Sequence, residues 1–172
     1  KPIALILNER ELNNGDIEYL LKPCLNKIFL IRLAVDPSNL GSAILKAKYI
    51  KSMGFKVAFN VMYLSTWKDH PKMINCLEDL DGVVDYFYLV DSFGAVYPDY
   101  VKEIIHLVRS KTKIKIGFHG HNNLELALAN TLTAIENGID IIDATFTGMG
   151  RGAGNLKTEL LLTVLNKKNG LD

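Results

Sequence analysis

Six apolar, β-branched runs recur along the chain at nearly constant spacing, and this repeat limits the available folds more than any single motif does. They begin near Ile3, Ile28, Val57, Tyr86, Ile114 and Ile139, separated by 25, 29, 29, 28 and 25 residues. Between them the apolar residues take a helical period: Leu40, Ile44, Ala47 and Ile50, then Val101, Ile104 and Val108, then Leu124, Leu128, Thr131 and Ile135. Ser38 or Asn39 is placed to cap the first of these helices, and Pro98 suits a first helical turn. Gly54 and Gly138 stand where helices commonly end in the left-handed conformation. Near-continuous apolar strands alternating with amphipathic helices predict a parallel sheet covered by helices.

A doubly wound open sheet and a TIM (β/α)8 barrel both satisfy that pattern. They differ in where polar residues fall. An open sheet gathers its chemistry at one switch point, whereas a barrel offers the C-terminal end of nearly every strand. Here Asn8 and Glu9 follow the first run, Arg32 interrupts the second, Asn60 the third, Asp91 ends the fourth, His119 and His121 the fifth, and Thr145 the sixth. The expectation is therefore an α/β chain forming about six consecutive βα units of a TIM barrel, with the first two strands missing and a single partial catalytic domain over residues 1–172. An opening residue of Lys1, with no signal-type leader after it, fits a piece of something longer.

The formal net charge is +1, without a long basic run, so no electrostatic footprint for nucleic acid is present. Apolar stretches are too short to span a bilayer, which argues against a membrane partner. Cys24 and Cys76 lie far apart and form no disulfide framework or zinc ribbon, and a reducing, cytoplasmic setting is expected.

His119 and His121 are two apart at a strand end and so share one face, where two imidazoles can converge on one ion. Nitrogen donors suit Zn²⁺, Mn²⁺, Co²⁺ or Fe²⁺, although hydrogen-bonded surface histidines give the same spacing. Asn122 and Asn123, next in sequence, can cap the following helix. A glycine-rich stretch, Gly148 to Asn155, precedes an expected helix from Leu156 to Leu165. It lacks the Gly-Lys-Ser/Thr of a P-loop, and no later strand supplies the acid of a dinucleotide fingerprint. A tight turn with Asn155 as helix cap is the simpler reading. Asp91 either meets a ligand or forms a turn with Ser92. Arg32 needs a carboxylate partner, from a substrate, Asp91 or Asp36, because an unpaired buried guanidinium is very costly.

The segment from Phe118 to Leu162, together with YLVDSFGAVYP and the arginine of IRLAV, closely resembles the barrel of metal-dependent aldolases and lyases related to 3-hydroxy-3-methylglutaryl-CoA lyase. Within that family it is most similar to the 4-hydroxy-2-oxovalerate aldolases. The resemblance implies that His119 and His121 ligate a divalent metal ion, Mn²⁺, Mg²⁺, Zn²⁺ or Co²⁺, with Asn155 beside or on it. It also implies that Arg32, Asp91 and Thr145 line the substrate cavity, with Asn60 as a further candidate. The family's third ligand, an aspartate next to an arginine on the first strand, has no counterpart here. The cysteine that the CoA-ester lyase carries in its glycine-rich loop is also absent.

The activity so implied is cleavage of a 4-hydroxy-2-oxo acid to pyruvate, or a related 2-oxo acid, and an aldehyde. No residue stands out as general base, which places that group in the missing N-terminal units. A Claisen-type acyltransferase of the isopropylmalate or homocitrate synthase kind is the alternative, and a catalytically silent barrel is a third. The expected partner is a small 2-oxo acid, and a homo-oligomer is left open.

Overall fold

A computed structural model describes residues 2–168. Six strands, β1 (Ala4–Asn8), β2 (Leu30–Val35), β3 (Lys56–Val61), β4 (Tyr86–Asp91), β5 (Lys115–Gly120) and β6 (Ile141–Ile142), form one sheet in their order of sequence, every pair parallel. Helices α1 (Asn14–Leu21), α2 (Leu40–Ser52), α3 (Pro71–Asn75), α4 (Pro98–Lys111) and α5 (Ala127–Glu136) cross between successive strands, and α6 (Thr158–Lys168) follows β6. Helix α4 shows why such segments wind. Pro98 opens its first turn, Val101, Ile104, Ile105 and Val108 are buried together on one face, and Arg109 and Lys111 sit in the last turn, where cations favour the dipole. Gly54 and Gly138 take positive φ after α2 and α5, as their placement suggests.

The unreversed strand order leaves no switch point, and one ion pair shows that the sheet curls. Arg32 on β2 and Asp143, just beyond β6, lie four strand spacings apart, roughly 19 Å in a flat sheet. Their side chains nevertheless meet at 2.5 Å. Only a sheet rolled toward closure brings them together, and this is TIM-barrel-type curvature.

Alternation along each strand sorts the residues. Ile31, Leu33, Val35, Val57, Phe59, Val61, Phe87, Leu89, Ile116 and Phe118 pack outward against the helices in one large core. Leu30, Ala58, Tyr88 and Val90 form a smaller cluster inside the curl, with Tyr86 and Ile141 against it. Gly117 serves that inner cluster, because a Cβ there would lie 2.3 Å from the Tyr88 ring.

Three local expectations are revised. Neither Ser38 nor Asn39 caps α2 with its side chain; Asp36 instead accepts from the Ser38 amide at 2.9 Å and opens a short 3-10 turn ahead of the helix. The sixth strand is only two residues long, because Thr145 exchanges backbone bonds with Leu156 and Thr158 and not with β5. The last helix accordingly begins at Thr158, two residues later than its apolar pattern suggests.

Candidate active site

The C-terminal ends of the strands surround a cavity of about 650 Å³. Its walls include Arg32 from β2, Asn60 from β3, His119 and His121 from the end of β5, and Asp143 from the end of β6. Tyr63 and Phe93 stack at 5.4 Å on one side of it. Of the candidates read from the sequence, Arg32, Asn60, His119 and His121 come together here.

Arg32 is held on three sides. Its Nε donates to Asn60 Oδ1 at 2.9 Å, its two Nη groups donate to the Asp143 carboxylate at 3.0 and 2.5 Å, and its guanidinium lies 3.9 Å from the Tyr88 ring centroid. The internal partner is therefore Asp143, not Asp91 or Asp36; Asp36 pairs with Arg10 at 2.6 Å. Burial alone would raise the Asp143 pKa, but bonds from His119 and Arg32 and the arginine charge outweigh it and hold the carboxyl below the ordinary aspartate range. The signal for Asp143 was present in the run Ile139 to Phe146. It lies two residues after Ile141 and so shares that residue's inward side.

Asp143 also accepts from His119 Nδ1 at 3.0 Å, while His121 Nδ1 donates to the Asp91 carbonyl at 2.8 Å. An ionised carboxylate and a carbonyl only accept, so each ring carries a proton on Nδ1, the tautomer that in a neutral imidazole leaves the lone pair on Nε2. The rings stand 4.9 Å apart, centroid to centroid. Burial pushes the His121 pKa down, helped by the charges of His119 and Arg151 against the Asp91 contacts, which favours the neutral ligand form.

Asp91 stays outside the cavity. It shares the outward side of β4 with Phe87 and Leu89, is fully buried, and accepts from the amides of Ala95 and Val96 at 3.1 and 3.3 Å. Burial raises its pKa, and the backbone bonds oppose that shift. The turn reading thus describes its carboxylate, with Ala95 and Val96 in place of Ser92, and only its carbonyl reaches the histidines. Thr145 likewise turns away and donates from Oγ1 to the Met149 carbonyl at 2.9 Å.

Asn155 does not cap α6. Its backbone forms a bridge with His121, and its Nδ2 donates to the Met149 carbonyl at 2.8 Å. Its Oδ1 is buried without a hydrogen-bond partner. The glycines make this fit possible: a Cβ at Gly150 would lie 2.5 Å from Asn155 Nδ2, and one at Gly154, whose φ is +85°, would lie 2.1 Å from the Gly148 carbonyl. Asn122 behaves as anticipated, accepting from the Ala127 amide at the start of α5.

Among the described residues no three His, Cys, Asp or Glu side chains are placed to share one ion. The donor set fits a metal in part: two imidazoles oriented through Nδ1, with an unsatisfied amide oxygen on the chain that bridges to one of them. No helix among the described residues is long and apolar enough to cross a membrane.

Comparison with known proteins bears on this arrangement. A 4-hydroxy-2-oxovalerate aldolase of Geobacillus thermodenitrificans is 35% identical over 165 residues, covering 92% of this chain and 47% of the relative. The chain thus spans about half the length of that curated relative. The crystal structure of the N-terminal domain of a Bacteroides vulgatus protein, provisionally named an aldolase, superposes with a TM-score of 0.96 at 52% identity, covering all of this chain and 57% of that one. Bacillus subtilis HMG-CoA lyase shares the fold at a TM-score of 0.73 and 17% identity, over 95% of this chain and 62% of its own. The HMGL-like family model matches residues 36–171, which include the histidine pair, Asp143 and the glycine-rich loop, and on that match the chain belongs to the HMGL-like family.

Proposed function

We propose that this chain supplies the histidine pair and part of the substrate cavity of a divalent-metal-dependent aldolase. The reaction is cleavage of a 4-hydroxy-2-oxo acid to pyruvate, or a close 2-oxo acid, and an aldehyde. The observation that carries this reading is the state of the two imidazoles, both with Nδ1 bonded to an acceptor and both with Nε2 left as donor atom beside the cavity. His119 and His121 would hold the ion, Mn²⁺, Mg²⁺, Zn²⁺ or Co²⁺, with Asn155 Oδ1 as the nearby neutral oxygen. Bound there, a divalent ion supplies Lewis acidity toward the 2-oxo group.

The chain's own residues do the remaining work described here. Asp143 fixes the His119 tautomer and ring plane while neutralising Arg32. Arg32 has five N–H donors, of which three are spent on Asn60 and Asp143, leaving two for oxygen atoms of a substrate. Those donors are held in place by the Tyr88 face and the carboxylate, so little reorganisation accompanies charge development on a substrate oxygen. In the substrate the C4 hydroxyl loses a proton, the C3–C4 bond breaks to release the aldehyde, and its electron pair moves into the 2-oxo group. The resulting enolate takes a proton at C3 to become the 2-oxo acid. Among the described residues we assign no general base to the first proton transfer.

The test is a lactate dehydrogenase-coupled pyruvate assay on the full-length protein with several 4-hydroxy-2-oxo acids. Pyruvate release that disappears with chelator, returns with Mn²⁺, and falls with metal occupancy in His119→Ala and His121→Ala is the expected result. Turnover that survives both chelation and the histidine changes overturns it. Thiol release from acetyl-CoA in place of any pyruvate formation would establish the acyltransferase alternative.

A further inference from the structure

The charged side chains lining the cavity are Arg32, Asp143 and Arg151. The first two neutralise one another through a bidentate pair. Arg151 has no such partner among the described residues. The chain has four arginines, and Arg10, Arg32 and Arg109 each pair with an aspartate, whereas the Arg151 guanidinium meets no carboxylate among the described residues. It stands between Gly150 and Gly152, the latter at a φ of +61°, on the loop that folds back beside the histidine pair. Asn123 faces the same wall, its side-chain amide 3.6 Å from where a Cβ of Gly152 would sit.

We infer that Arg151, with Asn123 beside it, is the specificity-determining anion contact of this cavity and recognises a carboxylate of the substrate. This rests on the aldolase reading above and deepens it. A guanidinium already closed in a fork by a carboxylate offers an incoming anion hydrogen bonds but little net charge, because the pair is neutral at the distance of a third group. Arg151 offers both, and its side chain is exposed enough to engage a ligand without first breaking an internal ion pair. The glycines on either side allow the guanidinium to follow the ligand as it seats, since neither neighbour carries a side chain that packs it down. The shared chemistry is a carboxylate, either the one adjoining the 2-oxo group or a second one at the far end of the molecule.

The experiment uses the full-length protein loaded with Mn²⁺ and the variants Arg151→Ala and Arg151→Lys. Oxalate binding is measured by titration calorimetry, and pyruvate release is measured from 4-hydroxy-2-oxopentanoate and 4-hydroxy-2-oxopentanedioate. Loss of a charge-assisted contact should raise KM by about 10- to 100-fold in Arg151→Ala with kcat little changed, and Arg151→Lys should recover most of it. A rise for both substrates together with weakened oxalate binding assigns the contact to the carboxylate next to the 2-oxo group. A rise for the diacid alone assigns it to the distal carboxylate. If oxalate binding and both KM values in Arg151→Ala stay within about twofold of wild type, a free-energy change below about 0.4 kcal/mol, the inference is overturned while the aldolase reading stands. If no form releases pyruvate yet oxalate binding still depends on Arg151, the anion contact stands and the aldolase reading falls.

Discussion

The two faces of the same sheet carry different kinds of residue. The outer face is a continuous apolar layer against the helices, built from Ile31, Leu33, Phe59, Phe87, Ile116 and their neighbours. The inner face has a small apolar floor, Leu30, Ala58, Tyr88 and Val90, and above it a polar tier of Arg32, Asn60, His119 and Asp143. On each face a buried or half-buried carboxylate at a strand end is held in an ion pair. Outside, Glu9 is buried and accepts from Lys46 Nζ and Ser42 Oγ; inside, Asp143 binds Arg32 and His119. The contrast separates two tasks. Non-directional burial on the outside stabilises the layers, and directional hydrogen bonds on the inside orient groups that a ligand can use.

Cutting into the outer layer should produce the largest change in stability. Phe59→Ala removes a fully buried ring between sheet and helices and should cost about 3–5 kcal/mol, read as a lower urea midpoint of the full-length protein. A loss below about 1 kcal/mol would mean that the outer layer is not what holds the fold.

On the inner face, Asp143→Asn should cost roughly 2 kcal/mol, because Arg32 keeps a hydrogen-bond partner but loses its counter-charge in a partly exposed setting. Its sharper effect should be functional. Metal affinity should fall about 10- to 100-fold as His119 loses its orienting carboxylate, measured by equilibrium dialysis against Mn²⁺. Unchanged affinity together with lost stability would place Asp143 among the structural groups and blur the contrast between faces.

The smallest of the three effects belongs to Glu9. Burial would raise its pKa, but hydrogen bonds from Lys46 and Ser42 and the lysine charge outweigh this and lower it from the ordinary 4.5. A carboxyl whose folded-state pKa is depressed adds stability that is present above the unfolded-state value and lost as pH falls through the folded-state value. Wild type should therefore lose this contribution below about pH 4.5, while Glu9→Gln, weaker by about 1 kcal/mol at neutral pH, should show a shallower decline in acid. Parallel stability-against-pH curves for the two proteins would show that the outer ion pair contributes nothing.

Much of the site was legible from residue type and position at a strand end. His119 and His121 could be paired because a period of two is a local property of extended chain. Arg32 and Asn60 could be picked out because a cation or amide inside an apolar strand is conspicuous at any register. Parity explains only in part why the side chains of Asp91 and Thr145 lie outside the cavity. Asp91 follows Phe87 and Leu89 to the helix side, which the alternation within YFYLVD could have indicated. Thr145 has the inward parity of Ile141 and Asp143 but is turned by its bond to Met149, a contact made across a loop. The pairing of Arg32 with Asp143 and not with a nearer acid is not legible in the sequence, because sequence distance is a poor guide inside a curled sheet.

The sequence by itself determined the alternating elements, their parallel arrangement, the sharing of a face by the two histidines, and the tight turning of the glycine-rich loop. Those follow from local sterics, periodicity and burial, which act over a few residues. Only the tertiary structure decided that Asp143 closes on Arg32, that the same carboxylate orients His119, that the Asp91 carbonyl orients His121, and that Arg151 faces the cavity without a counter-charge among the described residues. The first depends on how tightly the sheet curls, and the others on how neighbouring strand ends and the glycine-rich loop are brought together. Curvature sums small twists over several strand pairs, so it sets distances between residues more than a hundred positions apart that no local pattern encodes.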